Sequence, residues 1–233
     1  KKAQVLAAGD LVAQSQLGEA YFFGHGVNQN YDSAFKWLRL ASKNGSAKAS
    51  ALIGHAYANG TGVRKSQREA MQHYRKAADG GDSDAQLYLA KKYYYGDGVR
   101  KDLKLALQWF VGAGQQGNSE AQNFVGNIHG EGLGVVQNKA MAALWFEKAA
   151  NHGNRDGQYN FGIYLANGIG VKQDLVRAYK WFFLAKNNGH PNAPDRLGEI
   201  SRFMDTVQIG NAIEQAQQFQ KTNPPEVDVL FVK

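Results

Sequence analysis

Apolar positions in this chain recur on two periods. Locally, Ala13, Leu17 and Tyr21 fall four apart, which predicts an apolar stripe on a helix from Leu11 to Phe23. Over a longer range the pattern returns every 36 residues without insertion or deletion. Val27, Val63, Val99, Val135 and Val171 mark the register, each closing a Gly-x-Gly-Val turn. Seven positions later stands Ala34, Ala70, Ala106, Ala142 or Ala178, and fourteen later Ala41, Ala77, Ala113, Ala149 or Ala185. All four tryptophans share the slot ten positions after the valine, as Trp37, Trp109, Trp145 and Trp181, with His73 in the remaining copy. A large ring kept in one slot is expected to fill the gap between helices. Gly18, Gly54, Ala90, Gly126 and Gly162 lie beside the first stripe and predict a close approach of the next helix.

Each period reads as two antiparallel helices. The first glycine of the turn ends the first helix by accepting a left-handed backbone cheaply. The second helix opens at Asn30, Ser66, Asp102, Asn138 or Asp174, all residue types that cap free backbone N–H groups. A second glycine set, Gly45, Gly81, Gly117, Gly153 and Gly189, closes it. The expected fold is therefore all-α: five stacked helix-turn-helix repeats at about 11–46, 47–82, 83–118, 119–154 and 155–190. A half repeat and closing helix follow over 191–222, so that one solenoid domain spans 1–222 and a tail occupies 223–233. The closing helix carries Ile209, Ala212, Ile213, Ala216 and Phe219 on one side, to cover the last repeat. Gly9 holds the register of Gly45, so residues 1–8 read as the end of an earlier second helix. The chain starts Lys1-Lys2-Ala3 without methionine, and an upstream segment is expected.

Composition narrows the chemistry. There is no cysteine, which excludes disulfides, thiolate metal sites and thiol catalysis. No apolar run is long enough to span a membrane. The net charge of +7 would suit an acidic partner, a nucleic acid or an anionic membrane surface, although basicity spread over a chain is more often a solvated surface. No nucleic-acid-binding motif accompanies it, so a nucleic acid is disfavoured. The six histidines occupy different repeat slots and none forms a metal-binding pair at helical spacing, so no metal or other cofactor is expected. The stretch Gly126–Gly134 looks like a phosphate loop, yet it is the fourth copy of an inter-helix turn with no strand before it. There is no Gly-x-Ser-x-Gly elbow, and an enzymatic role is not expected.

The pattern Ala-x-x-x-Leu-Gly-x-x-Tyr-x-x-Gly-x-Gly-Val, then Ala-x-x-Trp-x-x-x-Ala and Gly, resembles the Sel-like repeat, a relative of the tetratricopeptide repeat. The resemblance covers about residues 11 to 220. Departures are His73, His129, Leu165 and Gly157 in otherwise regular slots. It implies a right-handed α/α superhelix with first helices on the concave face, and a role as a protein-binding adaptor or scaffold. Bacterial members include exported host-interaction factors, signalling regulators, envelope components and immunity proteins against type VI-secreted toxins. An exported location, periplasmic or secreted, is therefore the expectation, with the cytoplasm also compatible. A cysteine-rich branch is linked to β-lactam binding, and this cysteine-free chain falls outside it. A β-lactam or cell-wall hydrolase is the alternative from another class, and it lacks a supporting cluster of polar groups.

If tetratricopeptide geometry transfers, partner-facing positions lie three before, and one, four and five after, the small residue of each first helix. Those singled out are Phe22 and Phe23, His55, Lys91, Tyr94 and Tyr95, Asn127 and Tyr159. Aromatic side chains on such a wall are natural anchors. A second candidate surface is a basic ridge of turns, Arg64 and Lys65 in repeat two and Arg100 and Lys101 in repeat three.

Overall fold

The computed structural model describes residues 10–223; the readings for residues 1–8 and for the tail beyond 223 lie outside them. All regular structure among the described residues is helical. The helices are α1 (Leu11–Phe23), α2 (Tyr31–Lys43), α3 (Ala47–Asn59), α4 (Gln67–Asp79), α5 (Ser83–Tyr95), α6 (Leu103–Gln115), α7 (Ser119–Glu131), α8 (Lys139–Asn151), α9 (Arg155–Asn167), α10 (Leu175–Asn187), α11 (Ala193–Ser201) and α12 (Thr206–Thr222). They form two compact units, divided between Gln116 and Gly117. The first holds α1–α6 and the second α7–α12.

The turn chemistry repeats with the sequence. Gly24 takes φ 77° and donates its N–H to the Ala20 carbonyl, ending α1; Gly26 takes φ 70° and redirects the chain. The same two left-handed glycines recur in every copy. Each second helix is capped by the expected side chain, from Asn30 accepting from Ser33 N–H to Asp174 accepting from Arg177 N–H. The cap residue's own N–H bonds back to the first helix, Asn30 to the Tyr21 carbonyl and Asp102 to the Tyr93 carbonyl. Asp82, one of a pair of neighbouring acids, is the N-cap of α5.

Packing corrects one expectation. The side chain in the tightest gap belongs to the residue after the tryptophan slot. Leu38, Tyr74, Phe110, Phe146 and Phe182 are all buried. A Cβ added at Gly18, Gly126 or Gly162 would sit 2.7, 2.5 or 2.7 Å from Leu38, Phe146 or Phe182. Trp145 and Trp181 are buried too, but Trp37 and Trp109 are only half-buried. Tryptophan is too bulky for the narrowest crossing, and it packs at the flank.

A polar device was also hidden in the pattern. Gln14, Gln86, Gln122 and Gln158 share one slot and are buried. Gln86 donates to the Ala78 carbonyl at the end of the preceding second helix, and accepts from Gln116 at the end of its own. Gln158 does the same with Ala150 and Asn188. Gln14 accepts from Asn44, and Gln122 from His152 Nδ1. In repeat two the glutamine is Ser50, which bonds to Ser42, and the partner slot has shrunk to Gly80. Both ends of the clamp change together, as hydrogen-bond satisfaction in a buried site requires.

At the C-terminal end, α12 begins with a capping box between Asp205 and Gln208. It buries Ala212 and Ala216 and lays Phe219 edge-on against Trp181 of α10, centroids 5.2 Å apart.

Candidate functional site

The four counted positions of each first helix behave differently. The fifth after the small residue is exposed in every repeat: Phe23, Asn59, Tyr95, Glu131 and Asn167. The fourth turns inward: Phe22 and Gly130 are buried, and Ala58, Tyr94 and Ala166 half-buried.

Phe22 therefore departs from the expectation of a partner-facing residue. It is 3% exposed and packs edge-on against Phe23, Tyr31 and Phe35 at 5.0, 5.4 and 6.5 Å. One helical turn after Gly18, it lies on the face that meets α2. Phe23 is 51% exposed and stacks on His25. His55 is exposed, with the Asn59 amide 3.0 Å from its Nε2. Tyr95 is 63% exposed and sits edge-on to the half-buried Tyr94, which packs on Phe110. Lys91 is half-buried. Arg64, Lys65, Arg100 and Lys101 are all exposed, and the Lys101 ammonium lies 6.0 Å from the Tyr94 ring centre.

In the second unit the first-helix wall carries a groove of about 380 Å³. Ile163, Leu175, Phe182, Ile200 and Phe203 give it an apolar lining, and Asn167, Gln173, Arg196 and Glu199 stand around it. Those polar groups are largely satisfied by their neighbours. Asn167 donates to the Ile163 carbonyl and Gln173 to the Ala166 carbonyl. Arg196 donates to Glu199 at 2.7 Å and to the Tyr159 hydroxyl at 3.3 Å. Phe203 stands 76% exposed.

Tyr159 serves this wall from behind. It is half-buried, stacked on His190 at 4.0 Å, and holds Arg196. Burial lowers the His190 pKa, with Asp156 opposing and Arg155 adding to the shift. Asn127 lines a smaller neighbouring cleft of about 220 Å³ with Glu131, Lys139 and Tyr164. Burial, helped by Glu131, raises the Tyr164 phenol. These groups meet no nucleophile with an adjacent base. An apolar floor with internally paired polar walls suits the side chain of a partner.

The singled-out residues thus do not converge on one site. In the first unit Phe23, His55, Tyr95 and the four basic turn residues are exposed, whereas Phe22 is buried and Lys91 and Tyr94 half-buried. Asn127 and Tyr159 flank or support the second unit's groove. Sequence reasoning missed Phe203 and Arg196, although a signal existed for Phe203. Counting one and five positions on from Gly198, in the register of the half repeat, gives Glu199 and Phe203.

Among the described residues, no group of three His, Cys, Asp or Glu could hold a metal ion, and no helix is long and apolar enough to cross a membrane.

Comparison with known proteins bears out the resemblance. The Sel1 repeat family model matches residues 11–46, 47–82, 83–118, 119–154 and 155–190. A Sel1 repeat protein from Oxalobacter formigenes has a similar structure, with 29% identity over 92% of this chain and 87% of that one, and a TM-score of 0.71. The protective antigen c5321 of uropathogenic Escherichia coli, a protein with the SLR fold, is 27% identical over 94% of this chain at a TM-score of 0.60. This chain covers 55% of that antigen. The immunity protein Pa5087 of Pseudomonas aeruginosa matches at 19% identity over 79% of this chain and 70% of its own, with a TM-score of 0.47, too low for its role to bear on this chain. No curated protein matches. With five family units filling residues 11–190, this chain belongs to the Sel1 repeat family, a protein-interaction scaffold fold.

Proposed function

We propose that the chain is a non-enzymatic scaffold that binds a partner protein or peptide on its first-helix wall. The observation that carries this reading is the groove beside Phe203. Phe203 stands exposed beside the half-buried Ile163 and Leu175, and the polar groups around them are paired among themselves, so an apolar side chain of a partner gains burial there without stranding a hydrogen bond. Within the first unit, Tyr95 and Phe23 stand exposed at the same register position as Phe203 and offer aromatic contacts of the same kind.

The test is quantitative capture of the native partner by the wild-type chain, Phe203→Ser and Tyr95→Ala. Both side chains are exposed, so both variants should fold. A central aromatic anchor is worth about 2 kcal/mol or more on truncation, roughly a thirtyfold loss of affinity. Equal capture by all three proteins rejects the wall as the binding surface.

The finer assignment is an immunity protein that occupies a toxin delivered by type VI secretion. Its support is the family resemblance together with the basic charge. Co-expression with a candidate lipase toxin tests it. Relief of growth arrest supports the assignment, whereas unrelieved arrest sinks it and leaves the scaffold reading in place. An envelope component, signalling adaptor or host-interaction factor is then the remaining role.

A further inference from the structure

The basic turns of repeats two and three interrupt a structural rule. Two positions after the turn valine, repeats one, four and five carry Gln29, Gln137 and Gln173. Each donates its amide to a carbonyl seven residues earlier: to Phe22 at 2.9 Å, Gly130 at 2.9 Å and Ala166 at 2.7 Å. That bond ties the turn to the end of the first helix. In repeats two and three the slot holds Lys65 and Lys101 instead. The Cβ atoms of these lysines hold the same place, 3.3 and 3.2 Å from a Cβ built at Gly60 or Gly96, as that of Gln29 does beside Gly24. The backbone is conserved between copies while a neutral donor has become a cation.

The slot before it holds Arg64 and Arg100 in these same two repeats. Among the described residues none of the four cations has a carboxylate partner. The two acids within the repeat-three turn are engaged otherwise. Asp97 pairs with Lys92, and Asp102 caps α6. Residues 10–116 carry 14 Lys and Arg against 9 Asp and Glu, whereas residues 117–223 carry 10 against 9, so the chain's positive excess lies in the unit that holds this ridge.

We propose that Arg64, Lys65, Arg100 and Lys101, with Tyr95 at the end of the helix that leads into the repeat-three turn, bind an acidic segment of a partner polypeptide in extended conformation. The proposal rests on the scaffold reading and adds the chemistry of the partner. Neighbouring turns of stacked repeats lie on the order of 10 Å apart. A chain extended as polyproline II advances about 3.1 Å per residue with three residues per turn, so carboxylates three residues apart share a face and meet successive turns. A nucleic acid fits less well. The basic pairs occupy only two turns, the same slots in repeat one being the neutral Asn28 and Gln29, a short run for a continuous phosphate backbone.

The experiment is fluorescence anisotropy with a labelled peptide carrying Glu-Glu pairs at a three-residue repeat, titrated with the whole chain at low and at physiological salt. Wild type should bind in a salt-sensitive manner. Arg64→Glu/Arg100→Glu should weaken binding by about tenfold or more. Lys43→Glu/Lys76→Glu makes the same change in net charge at the far ends of α2 and α4, roughly 20 Å away for helices of this length. It should change affinity by less than about twofold. All substituted residues are exposed, and unchanged circular dichroism would exclude unfolding. Equal losses in the two double variants, or no binding by wild type, overturn the proposal. Tighter binding of a twelve-nucleotide single-stranded DNA, or of phosphatidylserine vesicles, than of the peptide overturns it as well. Partner capture that wild type shows and Phe203→Ser and Tyr95→Ala lose, alongside a failed peptide titration, removes this proposal alone; equal capture by all three proteins together with a failed titration removes the scaffold reading too.

Discussion

Gly126 and Gly198 occupy the same register slot and should respond to alanine in opposite directions. Alanine is favoured over glycine inside a helix by about 1 kcal/mol, because glycine loses more backbone freedom on folding. At Gly198 the new Cβ meets nothing within 4 Å, so Gly198→Ala should stabilise by about 0.5–1 kcal/mol. At Gly126 the Cβ would lie 2.5, 2.6 and 3.0 Å from three atoms of the Phe146 ring, a rigid group held in the core. Overpacking of this kind costs about 1–3 kcal/mol. Repeat three already accommodates Ala90 in this slot, with Phe110 in the ring position, so the cost belongs near the middle of that range. After subtracting the helix-propensity gain, Gly126→Ala should destabilise by about 1 kcal/mol. For a unit a little over a hundred residues long that is a fall of about 4 °C in Tm. Thermal and urea unfolding of both variants against wild type measure it. A Gly126→Ala protein as stable as Gly198→Ala would refute the claim that close helix approach fixes the small residue.

Two further outcomes concern the polar interior. Gln158→Leu strands the Ala150 carbonyl and the Asn188 amide, and should cost about 1–3 kcal/mol; a urea midpoint equal to wild type would show that the clamp contributes nothing. His73, stacked on Tyr57, has its pKa lowered chiefly by burial, against Glu69 and with Lys76 and Arg39, and its Nδ1 has no hydrogen-bond partner. A histidine whose folded pKa lies below its unfolded value of 6.5 contributes no pH dependence well above 6.5 and costs stability as pH falls through that value. His73→Trp, the residue of the other four copies, should flatten part of the stability loss between pH 7 and 5; an unchanged pH profile would contradict this.

The sequence made the backbone plan legible because glycine at positive φ and capping side chains are local requirements that each repeat must meet independently. The tightest packing slot was obscured because Leu38, Tyr74, Phe110, Phe146 and Phe182 share size and burial but not identity, whereas the flanking tryptophans are identical and draw attention. The glutamine clamps escaped notice because a polar residue in a helix reads as surface until its partners 8 and 30 positions away are seen together. Counting along the first helix located the exposed row at Phe23, Tyr95 and Asn167, but misjudged Phe22 by one position's rotation, about 100° on a helix. Phe203 lay within reach of the same count and was passed over because the half repeat lacks the turn that marks the others.

The central claim, that the first-helix wall receives a partner, is tested most directly by site-specific photo-cross-linking in cells. A photoreactive phenylalanine analogue placed at Phe203 or Tyr95 should cross-link to one and the same partner protein. The same probe at Leu144, exposed on the second helix α8, should not. Cross-links from Leu144 alone, or equal cross-links from all three positions, would contradict the account.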